Sequence, residues 1–84
     1  MVAIIVEGFD VRVRMRVLES TGTLALGSVV GLDEDGEYVI VVLERLLAGR
    51  RFRVDTLVDV TGKLTGLYPV RSVEAREIEE VRNV

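Results

Sequence analysis

The chain has 84 residues, of which 49% are hydrophobic and 30% are charged, with a formal net charge of −3. This length closes one small core, so we expect a single β-rich domain over residues 1–84 and no deep cleft with several walls. The negative charge argues against a protein that coats nucleic acid unselectively. The surplus of apolar residues favours burial against a second copy of the chain.

The first two predicted elements are strands. Residues 2–6 form a continuous apolar run that is typical of a strand buried on both faces, and the run lacks the basic lead and cleavage site of a signal peptide. Residues 11–17 alternate strictly between apolar residues and arginine. This alternation predicts a strand that turns Arg12, Arg14 and Arg16 to the face opposite the core.

A hairpin is predicted over residues 23–43. Its first strand, 23–32, is expected to bend at the small residues Gly27 and Ser28. Residues 33–36 combine short acidic side chains with a glycine, which favours a tight turn before the partner strand. The residues of the first strand that are expected to face the core are Leu24, Leu26, Val30 and Leu32.

Residues 39–48 fit two kinds of secondary structure. Their apolar residues have helical spacing up to Gly49, which suits a helix C-terminus. The β-branched run at 39–42 favours a strand instead. We predict a strand to about Leu43 followed by one helical turn, and a helix near 39–48 is the alternative.

The segment from 51 to 70 is predicted to contain two more strands. Residues 51–60 read as a strand with Phe52 and Val54 on one face, and residues 61–66 read as a loop or tight hairpin. Residues 67–70 are expected to form a short strand at a sheet edge, because the proline within them cannot donate to a ladder.

The tail is predicted to be a helix over about residues 72–82. Ser72 is a suitable N-cap, and Glu74 and Glu77 favour the N-terminal end of a helix. The apolar residues of the tail fall on one narrow helical stripe. These are Val73, Ile78, Val81 and Val84.

These elements predict a mainly β fold. Five to seven short strands with glycine-marked turns indicate a small β-barrel or sandwich of the size of OB and SH3 domains. The strand-rich part spans residues 2–70, and the terminal helix follows it. The alternative is an α+β sheet with the helix near 39–48 packed on it.

The residue types that carry most catalytic chemistry are missing. Without His or Cys, the chain cannot build a Ser-His-Asp or Cys-His site or a zinc site that relies on them. Gly62-Lys63 lacks the other residues of a phosphate-binding loop, and the acidic run at 33–37 does not match a calcium-binding EF-hand loop. We therefore predict a protein that is not an enzyme, with no catalytic residue, metal site, cofactor or evident small-molecule substrate.

Two arginine clusters form a candidate nucleic-acid site. If their strands are neighbours, six guanidinium groups share a surface that suits phosphate oxygens. The chain has few aromatic residues for stacking on bases, and its many carboxylates favour cross-strand ion pairs instead. Binding of RNA or single-stranded DNA is therefore the alternative hypothesis. Its residues are Arg12, Arg14, Arg16, Arg50, Arg51 and Arg53.

The preferred hypothesis is an interaction module, a self-associating small β domain that acts as a subunit or adaptor for an unidentified protein. No apolar run is long enough to span a membrane, and the absence of cysteine fits the cytoplasm. The scarcity of Asn and Gln beside abundant opposite charges suggests a thermophilic source. The interface candidates are Leu67, Tyr68, Val73, Ile78 and Val81.

Overall fold

A computed structural model describes residues 9–23 and 26–81 and shows five strands in them. A 3-10 turn, Arg45–Leu47, lies between the third and fourth strands. The strand predicted at residues 2–6 lies outside the described residues. The five strands are β1 (Phe9–Gly22), β2 (Leu26–Asp33), β3 (Tyr38–Glu44), β4 (Leu57–Gly66) and β5 (Arg71–Glu80).

The strands close into a barrel in the order β1-β2-β3-β5-β4. Closure depends on β1, which has 14 residues and therefore reaches two neighbours. Residues 9–16 pair with β4 and residues 15–22 pair with β2, both antiparallel. The parallel pair is β3 with β5, over residues 39–42 and 71–74. The fold is therefore mainly β and, of the two predicted architectures, it is a barrel.

The core lies inside the barrel and is built largely of valine. The alternation predicted for β1 is confirmed, because its apolar residues point inward and its arginines are exposed. Phe52, from the connection between β3 and β4, also belongs to the core. The core residues are Val13, Met15, Val17, Val29, Val39, Val41, Leu43, Phe52, Val58, Val60, Leu64, Val73 and Ile78.

The inward face predicted for β2 is wrong. Leu26 is 53% exposed, and β2 buries Gly27, Val29 and Gly31 instead. A Cβ atom on Gly31 would lie 2.5 Å from the backbone oxygen of Arg16. Glycine is needed because β1 and β2 approach closely there. The registers of β2 with β1 and β3 are regular at Gly27 and Ser28, so no bulge interrupts β2 there. The register between β1 and β2 instead shifts between residues 17 and 19 of β1. Leu24 lies outside the described residues.

The predicted C-terminal helix is wrong, because residues 71–80 form β5. Val73 and Ile78 are five residues apart, yet both point into the barrel. The register between β4 and β5 shifts between Thr61 and Gly62, so that one extra residue is accommodated in β5. Such a bulge breaks the two-residue period of a strand, and the resulting spacing resembles that of a helix.

Three further boundaries in the C-terminal half differ from those predicted. Residues 50–56 form a connection and not a strand, and residues 61–66 belong to β4. Residues 67–70 form a turn with a cis peptide bond before Pro69. Gly62 suggested a loop but lies in a strand, where an added Cβ would be 2.1 Å from the backbone oxygen of Glu74. Glycine here permits close strand packing rather than a turn.

The hairpin between β2 and β3 is confirmed. The Asp33 carboxylate accepts hydrogen bonds from the backbone N–H groups of Asp35 and Glu37, each at 2.9 Å, and Gly36 has a φ of 79°. The strand followed by one turn at 39–48 is also confirmed, because β3 ends at Glu44 and the 3-10 turn follows. The alternative helix near 39–48 is therefore excluded. In the described part of the chain we find no helix long and apolar enough to cross a bilayer.

Candidate interaction surfaces

The arginine row of β1 lies on the outside of the barrel against aspartates. Arg14 faces Asp59 of β4 in register, and its Nε and Nη2 atoms donate to the two carboxylate oxygens at 2.8 and 3.1 Å. Arg12 Nη2 lies 3.5 Å from the same carboxylate. Arg16 Nε lies 3.9 Å from an oxygen of Asp55. Arg12 and Arg14 therefore form the cross-strand ion pairs that an alternating charged strand favours, and Arg16 pairs with the connection before β4.

Arg14 and Asp59 stabilise each other's charged form. The hydrogen bonds from Arg14 lower the pKa of Asp59 below its ordinary value, and partial burial of the carboxyl opposes this only in part. The same hydrogen bonds raise the pKa of Arg14. Two parallel N–H···O bonds fix the guanidinium in one orientation, so Arg14 is occupied within its own chain.

Two arginines of the second cluster hold the connection between β3 and β4 against the barrel. Arg51 Nη2 donates to the backbone oxygen of Gly22 at 2.6 Å, and its Nη1 donates to that of Ala48 at 3.1 Å. Arg50 Nη1 donates to the backbone oxygen of Ile78 at 2.6 Å, and its guanidinium lies 5.0 Å from the ring centre of Phe52. These contacts are structural, because they satisfy carbonyl groups at the ends and edges of strands.

The two arginine clusters lie beside the same strand, and most of their guanidinium groups have partners within the chain. The connection runs beside β1, since the N–H of Phe52 donates to Ser20 Oγ at 3.1 Å and that of Asp55 donates to the Val17 oxygen at 2.7 Å. Five of the six arginines have partners within the chain. Arg53 is exposed, and its side chain forms no ion pair or hydrogen bond within the described residues.

The predicted interface residues fall into three groups. Val73 and Ile78 are 0% and 1% exposed, so they belong to the core and not to an interface. Val81 is half-buried, and its N–H donates to the backbone oxygen of Leu57 at 2.9 Å. Leu67 and Tyr68 are 53% and 92% exposed in the turn between β4 and β5. Val73 and Ile78 were assigned to an interface because the tail was predicted to be a helix with both residues on its apolar stripe. In the structure both lie on the inner face of β5.

A surface that the sequence reasoning missed covers the outside of β2 and β3. We call it the apolar strip. Its cross-strand pairs include Val30 with Ile40 and Leu32 with Tyr38. Tyr38 is 57% exposed and Ile40 is 36% exposed. The residues of the apolar strip are Val30, Leu32, Tyr38, Ile40 and Val42.

The turn between β4 and β5 extends the apolar strip at one end. Tyr38 lines a groove of about 310 Å³ together with Leu67 and Pro69. The signal that could have found this surface is the run Val39-Ile40-Val41-Val42. A continuous apolar run is typical of a strand that is covered on both faces, and the barrel covers only the inner face of β3.

Carboxylates border the apolar strip. Glu19 of β1 faces Val30 in register, and Glu74 of β5 lies beside Val42. Glu37 lines the groove at the Tyr38 end, and Glu44 lies at the opposite end. All five salt bridges among the described residues use aspartate, so none of these glutamates takes part in one.

The remaining polar groups of the described part of the chain have other roles or lie apart. That part contains no cluster of three or more side chains able to hold a metal ion. Asp33 is engaged by the hairpin turn through one oxygen and by Arg71 through the other. Lys63, the only lysine, is exposed on the outside of β4.

Comparison with known proteins adds no family to this description. No protein-family model and no curated protein matches the chain. The apolar strip and its acidic border are therefore the features from which function is inferred.

Proposed function

We propose that this chain is a non-enzymatic interaction module, a small barrel that acts as an adaptor or subunit by binding another polypeptide across its apolar strip. The observation that carries the proposal is the exposure of Tyr38 and Ile40 on a sheet face whose other strip members are aliphatic. Contiguous exposed apolar surface with a polar rim is typical of protein interaction sites.

The topology supports this location. A five-stranded Greek-key barrel in which β3 lies parallel to β5, in the order β1-β2-β3-β5-β4, is the arrangement of OB domains. OB barrels use the face of their second and third strands, with the adjoining loops, to bind oligonucleotides and oligosaccharides. The apolar strip and the turn at 67–70 occupy that face here. Likeness of fold indicates the place of binding and leaves the ligand to be argued from the residues.

The size of the surface fits a protein interface. A tyrosine contributes roughly 150–250 Å² when it is fully buried, and Tyr38 and Tyr68 are 57% and 92% exposed before any partner binds. Each side of a standard interface buries about 800 Å². The two tyrosines with Ile40 and Leu67 therefore supply a substantial apolar centre, and the bordering charges supply the rim.

Self-association, which the composition favours, is one way to cover the strip, and binding to a different protein is the other. Nucleic-acid binding has less support, because most of the arginines proposed for it already contact aspartates or backbone oxygens. A phosphate backbone would also meet the glutamates that border the strip.

Photo-crosslinking in the cells that make the protein tests the proposal. A photoreactive phenylalanine derivative at position 40 should give one discrete crosslinked species. The same group at Val54, which is 61% exposed in the β3–β4 connection, is the matched control and should give none. The mass of the species distinguishes a second copy from another protein. Equal or absent crosslinking at the two positions would contradict the proposal.

A further inference from the structure

We infer that the occupant of the apolar strip is a basic amphipathic helix of another protein and not a second copy of this chain. The inference rests on the proposed function and names the partner for the same surface. It depends on the juxtaposition of an exposed apolar face with glutamates on its borders. The orientation of the strands and the pairing of the other charges then limit the kind of partner.

The glutamates surround the strip on all sides. Glu19 borders it on the β1 side and Glu74 borders it on the β5 side. Glu37 stands at the end that carries Tyr38, and Glu44 stands at the other end. A partner that covers the apolar centre must therefore bring its own flanks close to several carboxylates.

None of the nearby cations forms a salt bridge with these glutamates among the described residues. Arg71 is bound to Asp33, and Arg16, beside Leu32, points to Asp55. Lys63 faces Glu74 in register but forms no salt bridge with it. The four carboxylates are therefore open to the cations of a partner. Opposite charges at an interface rim accelerate association and select partners, whereas like charges oppose it.

A second copy fits this border poorly. A two-fold contact applies the same patch of each copy to the other. With the axis parallel to the strands, Glu19 of each copy approaches Glu74 of the other. With the axis across the strands, Glu19 approaches its own equivalent. Both arrangements place carboxylate on carboxylate, and the net charge of −3 on each chain adds to the repulsion.

The backbone under the strip favours a helix as the occupant. β2 pairs with both β1 and β3, and residues 39–42 of β3 pair with both β2 and β5. No ladder edge is free beneath the strip, so a partner strand has no hydrogen bonds to gain there. An amphipathic helix satisfies its own backbone and presents an apolar stripe. The seven residues of β3 span about 23 Å, which matches roughly four helical turns.

Two designed helical peptides with the same leucine face test the inference, one with lysines flanking that face and one with glutamates. Each is titrated into the full ¹⁵N-labelled chain at low salt. We expect the lysine peptide to shift the amide resonances of β2 and β3 and the glutamate peptide to shift none. Binding of the lysine peptide should weaken as salt is added, because rim charges are screened.

Charge variants distinguish an effect of the bordering glutamates from an effect of the net charge of the chain. The double variant Glu19→Gln, Glu74→Gln should weaken lysine-peptide binding about tenfold and flatten its salt dependence. The matched control, Glu77→Gln with Glu79→Gln, removes the same charge from β5 residues that pair with β4, and it should leave affinity within about twofold. All four glutamates are exposed, and the amide spectrum of each variant shows that it is folded.

Each outcome bears on one of the two proposals. Equal binding of the two peptides, or an equal effect of the two double variants, would overturn the basic helix as partner. A dimer in light scattering that Ile40→Glu dissociates would also overturn it, while supporting an interaction module. No shift at the strip with either peptide, together with no crosslink at position 40, would overturn both.

Discussion

The outer faces of the barrel differ in where their side chains find partners. On the face of β1 and β4, Arg12 and Arg14 meet Asp59 within the chain. On the face of β2 and β3, the apolar strip is exposed and the glutamates at its border have no salt bridge among the described residues. The charged side chains of the first face therefore find their partners within the isolated chain. The second face leaves the apolar strip uncovered, and this is the face at which we propose that a partner binds.

The largest expected effect comes from a substitution in β2 that disturbs its close packing against β1. The assignment of the inner and outer faces of β2 depends on this packing. Gly31→Ala would place a Cβ atom 2.5 Å from the Arg16 oxygen, so β1 and β2 must separate. We expect a loss of about 3 kcal/mol in the free energy of unfolding, measured by urea denaturation. Gly49→Ala is the control, because a Cβ at Gly49 meets nothing within 4 Å. Equal stability of the two variants would mean that β2 does not lie as described.

Adjacent residues of β3 allow the two sides of the sheet to be compared directly. Val41→Thr buries a hydroxyl in the core, since Val41 is 0% exposed, and should cost about 2 kcal/mol in denaturant unfolding. Ile40→Thr keeps the β-branch on the exposed strip and should change stability by less than about 1 kcal/mol. The same Ile40 variant should lose most of its lysine-peptide binding. A larger stability loss for Ile40→Thr than for Val41→Thr would reverse the assigned faces.

A smaller effect is expected at the charged face, and it depends on pH. The pKa of Asp59 is lowered in the folded chain by Arg14. Its contribution to stability is therefore present above the unfolded pKa of about 3.9 and is lost as pH falls through the folded value. Asp59→Asn should lower the melting temperature at pH 7 by a few degrees.

The same variant should lose less stability than the unmodified chain between about pH 5 and pH 3. Asp35→Asn is the control, because Asp35 forms no salt bridge among the described residues. Parallel pH profiles for the unmodified chain and Asp59→Asn would show that the pair contributes nothing to folding.

The smallest effect is expected for Arg53→Ala, which tests the nucleic-acid alternative. Heparin should retain the unmodified chain weakly and release it below roughly physiological salt, because few cationic groups are free. Arg53→Ala should then elute almost unchanged. Retention at higher salt, with a clear loss for Arg53→Ala, would instead favour binding to phosphates.

The sequence predicted those parts of the fold in which only one reading of the pattern was physically possible. β1 was assigned correctly because arginine fills one of its faces, so the other must be the core. The turn at 33–36 was assigned correctly because its acidic side chains and glycine suit few other structures. The inner and outer faces of β2 were exchanged in the prediction, because apolar residues lie on both faces and glycines occupy part of the inner one.

The same ambiguity limited prediction of the site. The cross-strand ion pairs of Arg12 and Arg14 were anticipated, since opposite charges are the ordinary partners of an alternating charged strand. Ile40 was predicted only as part of a β-branched strand, because the sequence alone cannot tell an exposed apolar residue from a core residue. The helix predicted for the tail concealed the true positions of Val73 and Ile78, because a bulge alters side-chain period without leaving a residue signature.

Asp33 has a consequence for how tightly the proposed partner binds. Its carboxylate holds the hairpin turn through one oxygen and Arg71, at the start of β5, through the other. The β2–β3 hairpin is thereby tied to the strand that follows the exposed turn at 67–70. The two halves of the surface are thus assembled before an encounter, so little conformational entropy remains to be lost in the complex.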